Sequence, residues 1–102
     1  MGSIIFSDEI IKGKVRGTFE INESTGIEYR FGELFATNRR LVLYTRYPFG
    51  CEETKGYKYK DIIKVDIRHS LLMFHHDISI QAKLINDGND KQLFEQISQL
   101  VM

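Results

Sequence analysis

One cysteine, Cys51, stands alone in a chain of 102 residues, so no disulfide can form within it. Nothing therefore argues for a secreted, cross-linked scaffold. Charge of one sign is equally missing: 14 basic side chains face 14 acidic ones. Without a global field to gather polyanions, and without the Lys/Arg surplus of a nucleic-acid-binding domain, nucleic acid is not expected as a partner. No apolar run approaches the roughly 20 residues that span a bilayer. The opening MGSIIFSDE has neither the basic start nor the long apolar core of a signal peptide. Phe6 also stands where a myristoylation pattern requires Ser or Thr. These absences predict a soluble cytoplasmic domain. No segment repeats and none is low in complexity.

What is present is an ordinary core in one domain, residues 1–102. Hydrophobic content is 42%, and at this length roughly two-thirds of the unfolded surface can be buried on folding. The central stretch is Gly32–Tyr47, GELFATNRRLVLYTRY. Leu34 and Ala36 keep step on one side of Asn38-Arg39, and Leu41, Leu43 and Thr45 keep step on the other. A spacing of two sends alternate side chains to one strand face, and Asn tolerates the positive φ of a tight turn. The pattern predicts a β-hairpin.

Before the hairpin, Ile11, Gly13, Val15, Gly17, Phe19 and Ile21 alternate with polar residues in a long half-buried strand whose glycines permit a bend or bulge. Asn22–Gly26 reads as a loop, Ile27–Thr37 as the second strand and Arg40–Tyr47 as the third. Pro48-Phe49-Gly50 ends that strand. Glu53–Tyr59 is expected as a polar edge strand. Ile62–Ile67 follows with Ile63, Val65 and Ile67 on one face, then Leu71–Phe74 and Ile78–Leu84. Ser7–Glu9 is expected to cap a short helical turn.

The period changes at the end. Leu93, Phe94, Ile97, Leu100 and Val101 recur at helical spacing, with Asn89 as cap and Gln92 three residues on. The chain thus predicts a mainly β fold, strands over about 11–84 and a helix over about 89–101. Leu93, Phe94 and Ile97 are expected to dock on Val15, Leu43, Val65 and Ile80, each burial contributing about 1.5–3 kcal/mol.

Six or seven antiparallel strands and one C-terminal amphipathic helix resemble the pleckstrin-homology-like (PH-like) barrel, in which the helix plugs one open end of a strongly bent sheet. The motifs Gly32-x-Leu34-x-Ala36-Thr37-Asn38-x-Arg40-Leu41 and Tyr59-Lys60-Asp61-Ile62-x-x-Val65 are similar to the bacterial branch, specifically the YokE-like group, with a fainter likeness to GRAM domains. The likeness runs from about Ile11 to Val101. It departs from the family in the little chain left between Leu84 and the helix, which predicts a short or missing last strand. Such motifs mark a fold and not a reaction.

Catalytic patterns are absent. His75 and His76 are adjacent, and neighbours on a strand point to opposite faces; with no HxH or HExxH spacing, no metal is expected. His69 reads as a lone surface histidine. Glu52 and Glu53 beside Cys51 disfavour a thiolate. Ser24-Thr25-Gly26 belongs to neither a nucleophile elbow nor a P-loop. No enzyme activity and no cofactor are expected.

Binding remains. In the eukaryotic relatives that hold phosphoinositides, cations near the first hairpin cradle the phosphates. Here Glu20, Glu23 and Glu28 flank that loop with Arg30 the one nearby cation, and like charge at contact distance repels a polyphosphate. Lys12, Lys14 and Arg16 share a strand face but lie on the half of the strand away from the loop. Arg40 and Asp61 are expected to meet where hairpin turns share one end of the sheet. Tyr47 and Phe49 flank Pro48 at a loop tip, and Tyr57 and Tyr59 share a face of the edge strand, whose unpaired N–H and C=O groups can add a strand from another chain. The leading expectation is a non-catalytic module binding a protein or peptide partner, or another copy of itself, through Tyr47, Phe49, Tyr57 and Tyr59. The alternative is a peripheral membrane module that meets anionic lipid through Lys12, Lys14, Arg16, Arg46 and Lys55.

Overall fold

The computed structural model describes residues 8–101. The expected cap at Ser7 therefore lies outside the described residues. The described residues form seven strands: β1 Ile11–Glu23, β2 Gly26–Thr37, β3 Leu41–Arg46, β4 Glu52–Tyr57, β5 Ile62–Asp66, β6 Leu71–Phe74 and β7 Ile78–Asp87. One helix, α1, spans Asp90–Val101. The strands form one sheet in the order β4-β3-β2-β1-β7-β6-β5, antiparallel at every step. β1 joins its two halves, pairing with β2 on one side and β7 on the other.

Two glycines let this sheet coil. Gly17 and Gly32 pair directly across β1 and β2. A Cβ on Gly17 would lie 2.0 Å from the Leu84 carbonyl oxygen, and one on Gly32 would lie 2.0 Å from that of Tyr44. Flanking backbone occupies the space a side chain would take, so the strands curl into a half-open barrel. The pairing of β1 with β7 shifts register on either side of Gly17–Thr18, which adds to the bend.

The concave face carries one apolar cluster. Val15, Phe19, Ile21, Leu34, Leu41, Leu43, Leu72 and Ile80 meet Leu93, Phe94 and Ile97 from α1, with Val65 at the margin. This is the packing that the helical stripe predicts. Asn89 starts α1: its Oδ1 accepts from the Gln92 N–H at 3.1 Å, and its carbonyl accepts from the Leu93 N–H at 3.1 Å. Phe35, Val42 and Tyr44 form a small second cluster on the opposite face.

Several local expectations are corrected. The last strand is neither short nor missing, since β7 runs ten residues and Gly88, at φ 96°, turns the chain straight into the helix. The first loop shrinks, with Glu23 pairing Gly26 across Ser24-Thr25. Ile63 does not share a face with Val65, because an irregularity between Ile62 and Lys64 turns Ile62 inward and leaves Ile63 56% exposed. Asn38 does not take a positive φ. The Thr37 hydroxyl closes that turn instead, donating to the Arg40 carbonyl at 2.9 Å and accepting from the Arg39 and Arg40 amides at 3.1 and 3.0 Å. Asn38 ties the turn to the preceding segment, its Oδ1 accepting from the Ile10 N–H at 2.7 Å.

Candidate functional site: the free edge of β4 and its surroundings

Among the described residues β4 is the last strand of the sheet and pairs with β3 alone. The Tyr47 N–H donates to the Cys51 carbonyl at 2.7 Å, closing the hairpin. Hydrogen-bonding direction alternates along an antiparallel strand. Glu53, Lys55 and Tyr57 therefore turn their backbone groups toward β3, opposite Thr45, Leu43 and Leu41. Glu52, Thr54 and Gly56 turn theirs to the open side.

The strand leaves from a strained tip. Pro48–Gly50 makes one 3₁₀ turn in which Phe49 sits at φ 66°, ψ 25°. That left-handed conformation is costly for an aromatic residue. The Phe49 side chain is nevertheless fully exposed, and Tyr47 beside it is 37% exposed. Cys51 is a free, exposed thiol.

Tyr57 and Tyr59 are placed differently from Tyr47 and Phe49. Both pack against the core. The Tyr57 ring lies 5.0 Å from that of Phe74, and its hydroxyl is buried without a partner. Burial pushes the phenol up to about 12. Tyr59 belongs to the turn Tyr59–Asp61, not to the strand. Its hydroxyl lies 2.5 Å from the Thr37 carbonyl oxygen and 2.9 Å from that of Arg40. Burial likewise raises it to about 12. These two tyrosines brace the barrel below the free edge, while Tyr47 and Phe49 stand out beyond it.

At the C-terminal end of β4 lies a recess of about 250 Å³ lined by Gly56, Tyr57, Lys58, Phe74, His75 and Ile78. His75 and His76 are not strand neighbours. They occupy the turn His75–Asp77, rings 6.5 Å apart, with His76 at φ 68° and Asp77 at φ 59°. Among the described residues no three His, Cys, Asp or Glu side chains gather as metal ligands.

The basic residues are dispersed. Lys14 pairs with Glu33 at 3.3 Å, and Lys55 with Glu23 at 3.2 Å. Lys12 shares a shallow recess with Gln96, Gln99 and Leu100. Arg16 lies over the Phe31 ring at 5.7 Å, and Arg46 over the Tyr44 ring at 5.9 Å. Those two arginines flank a cleft of about 380 Å³ with Glu33, Tyr47 and Pro48. Lys55, on the inner face, is not part of it. The Tyr44 hydroxyl holds Arg46's charge in place and raises its pKa.

Pairings between distant segments were invisible to local reading. Arg30 is 9% exposed and bridges Glu28, at 2.6 Å, and Glu53. Arg40 takes Glu9 as a bidentate partner, at 3.0 and 3.1 Å. The Arg30–Glu53 and Arg40–Glu9 contacts span 23 and 31 residues of chain, and no short motif announces them.

The Bacterial PH domain family matches the chain over residues 4–98. The protein belongs to that family, a class of binding modules. Compared with curated proteins, it matches none. Among the described residues no helix is long and apolar enough to cross a membrane.

Proposed function

We propose that this domain binds a protein partner by strand addition to β4, with Phe49 as an apolar anchor beside the edge. The observation that carries the reading is the pairing of β4 on one side only, next to a wholly exposed aromatic held at a strained tip. An open edge offers affinity through main-chain hydrogen bonds, and an exposed ring offers a contact worth desolvating. No catalytic step is part of this reading, and the module acts in the cytoplasm.

Membrane attachment through Lys12, Lys14, Arg16, Arg46 and Lys55 has less behind it. Lys14 and Lys55 are already paired with carboxylates, and Lys55 faces the concave side. The two readings separate by amide chemical shifts. Titration with synthetic extended peptides of alternating β-branched residues should move Thr54 and Gly56 and leave Arg16 still. Binding to phosphatidylserine vesicles that is lost at high salt, with β4 unperturbed, would support the membrane reading instead.

A further inference from the structure

We infer that β4 is built to pair with β4 of a second copy, antiparallel and centred on Thr54. The inference rests on the strand-addition reading above and names its partner.

Only Glu52, Thr54 and Gly56 offer outward backbone groups, so a two-fold pairing must place one of these residues, or a position between them of matching parity, on the axis. Five centres, Glu52 to Gly56, satisfy this; one on Glu52 sets two glutamates face to face, and one on Gly56 leaves Glu52 and Glu53 beyond the paired stretch. One centred on Glu53 sets two glutamates face to face, and one centred on Lys55 sets two lysines face to face. Like charges directly opposite are destabilising. The register centred on Thr54 opposes Glu53 to the partner's Lys55, twice by symmetry. It also opposes Glu52 to the partner's Gly56, where a Cβ would lie 2.9 Å from the Arg40 guanidinium. No like charges face each other in this register, as they do in both neighbours, and Glu53 and Lys55 keep their partners within the chain, Arg30 and Glu23.

The ends of the strand carry a second, independent complementarity. Phe49 protrudes at the N-terminal end of β4, and the recess lined by Tyr57, Phe74 and Ile78 opens at the C-terminal end. Antiparallel pairing brings each phenylalanine alongside the other copy's recess, whose volume of about 250 Å³ suits one aromatic side chain. The contact is isologous, so it closes at two copies and does not propagate.

Three variants of the full chain test this, each altering an exposed position. Phe49→Gly removes the ring, and Thr54→Lys sets two cations across the axis. Thr54→Cys in a Cys51→Ser background places two thiols at the separation a hydrogen-bonded strand pair shares with a disulfide, about 5.5 Å between Cα atoms. Light scattering between about 10 μM and about 1 mM should show wild type passing from monomer to dimer. Phe49→Gly and Thr54→Lys should each weaken dimerisation about tenfold or more. Oxidised glutathione should cross-link Thr54→Cys to itself, and should leave Lys58→Cys in the same background uncoupled. A wild-type monomer throughout this range overturns self-pairing; if extended peptides still move Thr54 and Gly56, strand addition stands with a different partner. A dimer indifferent to Thr54→Lys, or one that does not cross-link at position 54, overturns the Thr54-centred pairing.

Discussion

Gly17 and Gly32 face each other across β1 and β2, and each is pressed by the carbonyl oxygen of the next strand out, at 2.0 Å from where a Cβ would stand. The coiling of the whole sheet passes through this pair. Because the obstruction is backbone, no rotamer change relieves it. Gly17→Ala and Gly32→Ala are each expected to cost about 3 kcal/mol, at the upper end for overpacking. Urea unfolding should show a lowered midpoint, with the double variant close to unfolded.

Phe49 gives the opposite sign. Its left-handed φ of 66° costs about 1–2 kcal/mol, and its exposed ring returns nothing to the monomer. Phe49→Gly should therefore stabilise the isolated domain by about 0.5 kcal/mol, once the greater entropy of the unfolded glycine is offset. A thermal melt at low concentration should rise slightly. Gain of stability with loss of binding is the combination expected of a residue kept for its partner.

Tyr57 and Tyr59 make the barrel sensitive to alkali. Both phenols move from 10.0 to about 12 on folding, chiefly through burial. A raised acid pKa means the native state retains protons that the unfolded chain has released. Stability is thus complete below pH 10 and falls as pH rises through 10 to 12. The two should respond differently to loss of the hydroxyl. Tyr57→Phe removes a buried group without a partner, and is expected to be neutral or stabilising. Tyr59→Phe breaks the bond that closes the β2–β3 turn and should cost about 1 kcal/mol. Denaturant titrations at pH 7 and pH 11 check both statements.

Thr37 is the hub of that same turn. Its hydroxyl lies 2.9 Å from Glu9 Oε2 as well as from the Arg40 carbonyl, while two amides donate to it. Thr37→Val keeps the shape and leaves these groups unsatisfied in a site with no solvent exposure. A loss of about 2–3 kcal/mol is expected by urea unfolding.

Much of this architecture was legible in the residues, for physical reasons. Val15, Phe19 and Ile21 alternate because β1 is buried on one face, and Leu93, Phe94 and Ile97 repeat at helical spacing because α1 buries one stripe. Pro48 and Gly50 mark the turn before β4, and the polar composition of β4 marks an edge. The misreadings share a cause. Ile63 faces outward and β7 slips against β1 because coiling of the sheet inserts irregularities that a strict period of two does not anticipate. The inward lean of Tyr57 and Tyr59, and the partners of Arg30, Arg40 and Lys55, depend on strands meeting across long stretches of chain. Of the candidate site, the free edge and its aromatic tip could be read from the sequence. The recess beside Phe74 and Ile78 could not, since it exists only where the β6–β7 turn comes up against β4.

Amide hydrogen exchange along β4 tests the central claim most directly. In dilute solution Lys55 should exchange slowly, its N–H being bonded to β3, while Thr54 and Gly56 exchange near the rate of open backbone. Raising the protein concentration, or adding a strand-forming peptide, should slow Thr54 and Gly56 and leave Lys55 unchanged. Thr54 and Gly56 that are protected already in the dilute monomer, or that stay unprotected when the domain is bound, would contradict the account.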